Sequence, residues 1–121
     1  MAIQRILIVD DSPTERYYLT DILVKNGFSV STAENGEEAL AKIKADKPQL
    51  ILMDVVMPGA NGFQVTRSIA RDPELQDVPV IICSSKNQET DRIWGLRQGA
   101  RGYLVKPVDA AELLAKIADL G

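Results

Sequence analysis

Two rhythms alternate along the chain. Short apolar runs recur at RILIVD (5–10), QLILMD (49–54) and VPVIICS (78–84). Each has the length and character of a buried strand. FSVSTA (28–33) alternates polar and apolar positions like a strand, and GYLVK (102–106) supplies a fifth. Between them, SPTERYYLTDILVKNG (12–27), NGEEALAKIKADKP (35–48), FQVTRSIARD (63–72), ETDRIWGLRQG (89–99) and DAAELLAKIADL (109–120) read as helices. The punctuation agrees with this reading. Ser12 stands at an N-cap, Pro13 at the first helical position, and Glu15 completes a capping box. Tyr18, Leu19, Ile22 and Leu23 make an apolar stripe that Gly27 stops. Leu40 and Ile43 face inward on the second helix, with Pro48 beyond its end. MPGANG (57–62) is a turn-rich loop. Asp109 caps the last helix, and Gly95 interrupts the fourth, which makes it the weakest of the five.

Strands alternating with helices predict an α/β domain with a doubly wound parallel sheet of five strands, flanked by five helices. The first, third and fourth strands are nearly continuous apolar runs, as expected where helices cover both faces of a sheet. Right-handed crossovers leave only a few strand orders. In such sheets ligands bind beyond the carboxyl ends of the strands. Those ends carry Asp10 and Asp11, Asp54, Ser84 and Ser85, and Lys106. A single strand-end acid is ordinarily a helix cap or a turn former. Polar residues at four equivalent ends are harder to explain that way.

Composition narrows the functional classes. The 121 residues are a single-domain length (1–121), with 45% apolar and 26% charged residues. A net charge of −3 leaves no electrostatic footprint for nucleic acid. No apolar run approaches a membrane span and no signal peptide opens the chain, so cytoplasm is the expected location. The absence of histidine excludes His–Ser and His–Cys catalysis and histidine-ligated metal. The one cysteine, Cys83, follows Val80, Ile81 and Ile82 and reads as a buried strand residue.

Three carboxylates near one another are costly. Two unit charges 4 Å apart repel by about 4 kcal/mol at an effective dielectric of 20, and three such pairs by roughly 12 kcal/mol at most. Either pKa values rise or a cation enters. Oxygen ligands with open positions suit Mg²⁺, which keeps several waters and takes one or two carboxylates plus a phosphate.

The residues DD at 10–11, MD…MPG.NG at 53–62, Ser84 and KP at 106–107 resemble the receiver domain of two-component response regulators. The match covers essentially the whole chain, with no output domain left over. DDSPTE and QETDRIWGLRQGARGYLVKPVD are most similar to the single-domain regulators of pilus-driven twitching motility. The resemblance implies the flavodoxin-like order 2-1-3-4-5, a phospho-acceptor at Asp54, and Mg²⁺ held by Asp11, Asp54 and the backbone carbonyl of Val56, with Asp10 helping through water. Lys106 and Ser84 would contact the phosphoryl group, and the Lys106–Pro107 bond would be cis. Without histidine the chain cannot carry a phosphohistidine itself, and the resemblance implies a partner histidine kinase as the donor. Tyr103 matches the family's switch aromatic, and its opposite parity to Lys106 turns it toward helix four. The output surface would be helix four, strand five and helix five, where Trp94 is either an exposed contact or a packing residue. No nucleic acid, no membrane insertion and at most weak self-association are expected. Val56 and Lys86, two residues after Asp54 and Ser84, depart from the commonest pattern beside the attacking water.

Readings from other classes remain in view. A haloacid-type phosphatase needs a second acid two residues after its nucleophile, where Val56 stands. A flavodoxin-like cofactor binder needs a Ser-, Thr- and Gly-rich loop after strand one, where DDSPTE stands. A phosphorylation-independent interaction module is the third reading, and the complete acid pair, Asp54, Ser84 and Lys106 argue against it; a phosphate sink for the kinase stays open as the output.

Overall fold

The computed structural model describes residues 2–121. In chain order the elements are β1 (Arg5–Val9), α1 (Pro13–Lys25), β2 (Ser29–Ala33), α2 (Gly36–Ala45), β3 (Leu50–Met53), α3 (Gly62–Arg71), β4 (Val80–Ser84), α4 (Glu89–Arg97), β5 (Gly102–Val105) and α5 (Ala110–Leu120). The strands form one parallel sheet in the order β2-β1-β3-β4-β5. This is the doubly wound arrangement that the alternation and the resemblance imply.

Side-chain parity divides the core between the two faces of the sheet. On one face Ile6, Ile8, Leu50, Leu52, Ile81, Cys83 and Leu104 meet Leu19 and Leu23 of α1 and Leu113 and Ile117 of α5. On the other, Leu7, Val9, Ile51, Met53 and Val80 meet Ala39 and Ile43 of α2 and Val65 and Ile69 of α3. A smaller cluster under α4 holds Val55, Ile82 and Ala100, with Phe63 and Tyr103 packed against it. The central strands β3 and β4 are buried at every position, so their runs are apolar throughout, whereas edge strand β2 alternates. Each fully buried Leu or Ile contributes on the order of 1.5–3 kcal/mol.

Caps fix where each helix starts. The side chains of Ser12, Asn35, Asn61 and Asp109 accept from the backbone N–H groups of Glu15, Glu38, Gln64 and Glu112. Two expectations need correction. The capping box at α1 is only half formed: the Ser12 N–H donates to Asp10 Oδ1 at 2.9 Å, so no donor is left for Glu15 to receive. Gly95 does not interrupt α4, which runs unbroken through it. It is buried, and a Cβ there would lie 2.9 Å from Ile82 Cδ1 and 3.1 Å from Tyr103 Cδ2. The glycine marks a close approach of α4 to the sheet.

A tighter approach lies at Gly62, the first residue of α3. A Cβ there would fall 1.9 Å from the carbonyl oxygen of Asp54. The Gly62 N–H donates to the Val55 carbonyl at 2.9 Å, which fastens the start of α3 to the end of β3. Backbone cannot yield as a side chain can. Gly62→Ala is therefore expected to destabilise the protein by about 3 kcal/mol or more, the upper end of overpacking effects. Urea unfolding measures it, and a loss under about 1 kcal/mol would contradict the packing described.

Candidate functional site

Register brings the acids together. Val9 pairs with Met53, so Asp10 and Asp54, the next residues, leave adjacent strands side by side. The ladder extends one step beyond the strands: the Asp54 N–H donates to the Val9 carbonyl at 2.9 Å and the Asp10 N–H to the Ala33 carbonyl at 3.0 Å. Both residues are buried, at 1% and 6% exposure, while neighbouring Asp11 is exposed. One carboxylate oxygen from each of Asp10, Asp11 and Asp54 lies within 4.8 Å of the others. An octahedral ion with ligands at about 2.1 Å spaces cis ligands by about 3.0 Å and trans ligands by about 4.2 Å, so the three acids are near enough to hold a small divalent cation once they close on it.

Lys106 reaches into this cluster from the end of β5. Its Nζ donates to Asp10 Oδ2 at 2.8 Å and to Asp54 Oδ1 at 3.2 Å. Its own N–H donates to the Ser84 carbonyl at 2.9 Å, which extends the β4–β5 ladder as at β1 and β3. The Lys106–Pro107 peptide is cis. Asp10 is held at both oxygens, by the Ser12 N–H and by Lys106, and its carbonyl accepts from Arg16 Nη1 at 2.7 Å. Asp11 has no comparable anchor among the described residues.

The electrostatics follow from burial. Burial raises the Asp54 pKa above its ordinary value, and the charge of Asp10 adds to this while Lys106 opposes it. Burial disfavours the Lys106 ammonium, but the Asp10 hydrogen bond and the two carboxylate charges outweigh it, so that pKa lies above its ordinary value. Cys83, fully buried on the neighbouring strand, is pushed up to about 12 and is an inert packing thiol.

Ser84 is fully buried at the end of β4. Its Oγ accepts from the Lys86 N–H at 3.1 Å, and the Tyr103 hydroxyl donates to the Lys86 carbonyl at 2.8 Å. The short segment 84–86 thus links Ser84 to Tyr103. Tyr103 packs beside Gly95, on the α4 side of the sheet, as its parity predicts. Val56 and Lys86 are exposed beside the cluster, in the turns after Asp54 and Ser84. Trp94 stands apart from the site, half exposed on α4.

Glu15 and Arg16 were not among the residues singled out for this site. Glu15 Oε1 is buried with no hydrogen-bond partner. Burial raises its pKa, Lys106 opposes the rise, and Asp10 and Asp54 add to it. The signal was available, since Glu15 lies one helical turn after Asp11, but the capping-box pattern gave it another role.

The whole chain can now be set beside known proteins. The model of the response regulator receiver domain matches residues 6–118. The chain belongs to this family. Protein PilH of Pseudomonas aeruginosa is 58% identical over 113 residues, covering 93% of each chain. Response regulator PleD of Caulobacter vibrioides is 40% identical over 116 residues, covering 96% of this chain but 26% of PleD. The chemotaxis protein CheY4 of Vibrio cholerae superposes with a TM-score of 0.91 at 30% identity, covering 99% of this chain and 100% of that one. The receiver fold and family are therefore shared over nearly the full length. Among the described residues no helix is long and apolar enough to cross a membrane.

The raised pKa of Asp54 has a pH consequence. The folded receiver holds this proton more tightly than the unfolded chain, so ionised Asp54 opposes folding. Its penalty grows as pH rises from about 3.8 through the folded value and fades on acidification. Without divalent cations, Asp54→Asn is expected to melt higher than wild type at neutral pH. The gap in Tm should close as pH falls toward 3.8. Calorimetric scans across that range decide it, and a gap that widens on acidification would refute it.

Proposed function

We propose that this receiver is a phosphorylatable single-domain response regulator. Asp54 accepts a phosphoryl group from the phosphohistidine of a histidine kinase, and a partner protein reads the result on the α4–β5–α5 face, in control of pilus-based motility. The observation that carries this reading is the Lys106 ammonium bridging Asp10 and Asp54 at the carboxyl edge of the sheet, with Asp11 beside them. The pilus assignment rests on the resemblance of DDSPTE and QETDRIWGLRQGARGYLVKPVD to twitching-motility regulators.

Each residue has a task the geometry supports. An Asp54 carboxylate oxygen attacks phosphorus, a P–O bond forms, and the P–N bond to imidazole breaks. Asp10, fixed at both oxygens, orients Lys106 toward Asp54. Once Asp54 is esterified, Lys106 has a phosphoryl oxygen to pair with as a point charge. The Ser84 hydroxyl, whose Oγ accepts from the Lys86 N–H, can rotate to donate to another phosphoryl oxygen. Asp11, Asp54 and the Val56 carbonyl would hold Mg²⁺, which neutralises part of the charge on the transferring group when bound. Water later attacks phosphorus, restoring the carboxylate and releasing phosphate.

The readout uses the 84–86 segment. Drawing Ser84 toward a phosphoryl group displaces Lys86, whose carbonyl holds the Tyr103 hydroxyl. Tyr103 then loses its anchor beside α4. Shifting such a switch from 1:99 to 99:1 takes about 5.5 kcal/mol of differential stabilisation.

Incubation with acetyl phosphate and Mg²⁺, followed by intact mass, tests the acceptor. A single phosphate adduct is expected in wild type and none in Asp54→Ala; an adduct persisting in that variant would overturn the assignment. Val56 cannot hydrogen-bond an attacking water, and Lys86 is neither acid nor amide. Val56→Asn is therefore expected to shorten the phosphate lifetime by about tenfold, below the range of full acid–base catalysis. An unchanged lifetime would remove Val56 from the mechanism.

A further inference from the structure

Outside the acid cluster, one groove gathers unmatched positive charge. It lies between α3 and α4, encloses about 310 Å³, and is walled by Arg67 and Arg71 of α3 and by Trp94 and Arg97 of α4. Among the described residues, no carboxylate lies within ion-pair distance of these three arginines. Arg5, Arg16 and Arg92, in contrast, each pair with an acid. Arg67 and Arg71 stand one helical turn apart, a like-charge spacing that weakens a helix. Arg71 and Arg97 stand in the last turns of their helices, where a cation is favoured, but Arg67 has no such role. Gln98, at 9% exposure, also lines the groove and presents an amide to it. The walls meet closely at their base: a Cβ on Gly99 would lie 2.6 Å from Ala70 Cβ.

The geometry points to this groove as the docking site for an acidic segment of a partner protein, with an apolar side chain laid on Trp94. Charge complementarity decides the class of occupant. The chain as a whole carries −3, so an acidic partner is repelled by most of the surface and drawn to this one place. Three guanidiniums at separate points on two helices match carboxylates spaced along a backbone. Tryptophan and arginine are also the residues that most often dominate protein interfaces. The amide of Gln98 can hydrogen-bond the segment's backbone. The proposal does not depend on phosphorylation of Asp54.

Trp94 is the sole tryptophan and reports directly on the groove. The unphosphorylated full chain is titrated with a synthetic Glu–Leu peptide, a Gln–Leu peptide of the same length, and ATP, following Trp94 emission and, in parallel, heat by calorimetry. Saturable binding of the Glu–Leu peptide alone is expected, and it should vanish near 1 M salt, where screening acts within about 3 Å. Arg71→Glu should weaken it by about tenfold or more, equivalent to at least 1.4 kcal/mol. Lys44→Glu, an equal change of net charge on the exposed face of α2, should leave it intact. Unchanged melting temperatures separate these effects from unfolding. Absence of saturable binding in both measurements would overturn the proposal, as would equal weakening by both variants. Equal affinity for the Gln–Leu peptide would reduce the site to apolar adhesion, and preference for ATP would make it a nucleotide site; either result rejects an acidic protein segment.

Discussion

Mutual repulsion among carboxylates at one edge of a parallel sheet governs the chemistry of this molecule. The register that packs the core also forces Asp10 beside Asp54, since β1 and β3 are neighbours and both ladders run one residue past the strands. The fold cannot keep its apolar ladder and separate these acids. It compensates with Lys106, delivered from the far end of β5 by the same device, an extended ladder to Ser84. A site balanced by one cation against two buried acids and a third exposed one remains short of positive charge. That deficit favours a divalent ion, and on the proposed reading Lys106 is already placed beside Asp54 to pair with a phosphoryl oxygen.

How the site communicates depends on an asymmetry in packing. The two main clusters each bring two helices onto several strands, but the cluster beneath α4 buries only Val55, Ile82 and Ala100. Little apolar surface fastens α4, and Gly95 lets it rest directly on Ile82 and Tyr103. Elements held by few buried contacts open at the lowest free energy. Tyr103 and α4 therefore share the least packed region of the receiver, where the proposed readout places its movement. Two hydrogen bonds tie Tyr103 through Lys86 to Ser84, and the Ser84 carbonyl in turn accepts from the N–H of Lys106, whose ammonium meets the acids.

Most of this was legible in the sequence, because the signals are local or periodic. Continuous apolar runs marked β1, β3 and β4, and the strand-end rule then brought Asp10, Asp54, Ser84 and Lys106 to one edge. What the sequence hid depends on competition in three dimensions. Ser12 and Glu15 form a valid capping-box pattern, yet Asp10 takes the donor that pattern needs, so Glu15 turns inward and leaves one oxygen buried without a partner. Gly95 looks like a flaw in a helix when read along the chain. Only the sheet beneath it reveals a site where a methyl group would collide. The clustering of Arg67, Arg71 and Arg97 was likewise invisible, because two helices far apart in sequence supply it.

The arginine groove and the acid cluster occupy different places for a physical reason. Acids at strand ends are buried by the fold itself, and their charge must be cancelled internally. The arginines stand on exposed helix faces, where water screens them and the fold tolerates their repulsion cheaply. The first arrangement places its charges where the fold itself excludes water, so the chemistry proposed there would need no partner protein to cover it. The second becomes strong only when a partner excludes water, since desolvation is what makes such pairs specific. Because α4 carries Trp94 and Arg97 toward the groove and Gly95 against Tyr103, a shift of this helix would alter the groove and the packing of Tyr103 together. On the proposed reading, that shared helix is the shortest link between the groove and the Ser84–Tyr103 segment.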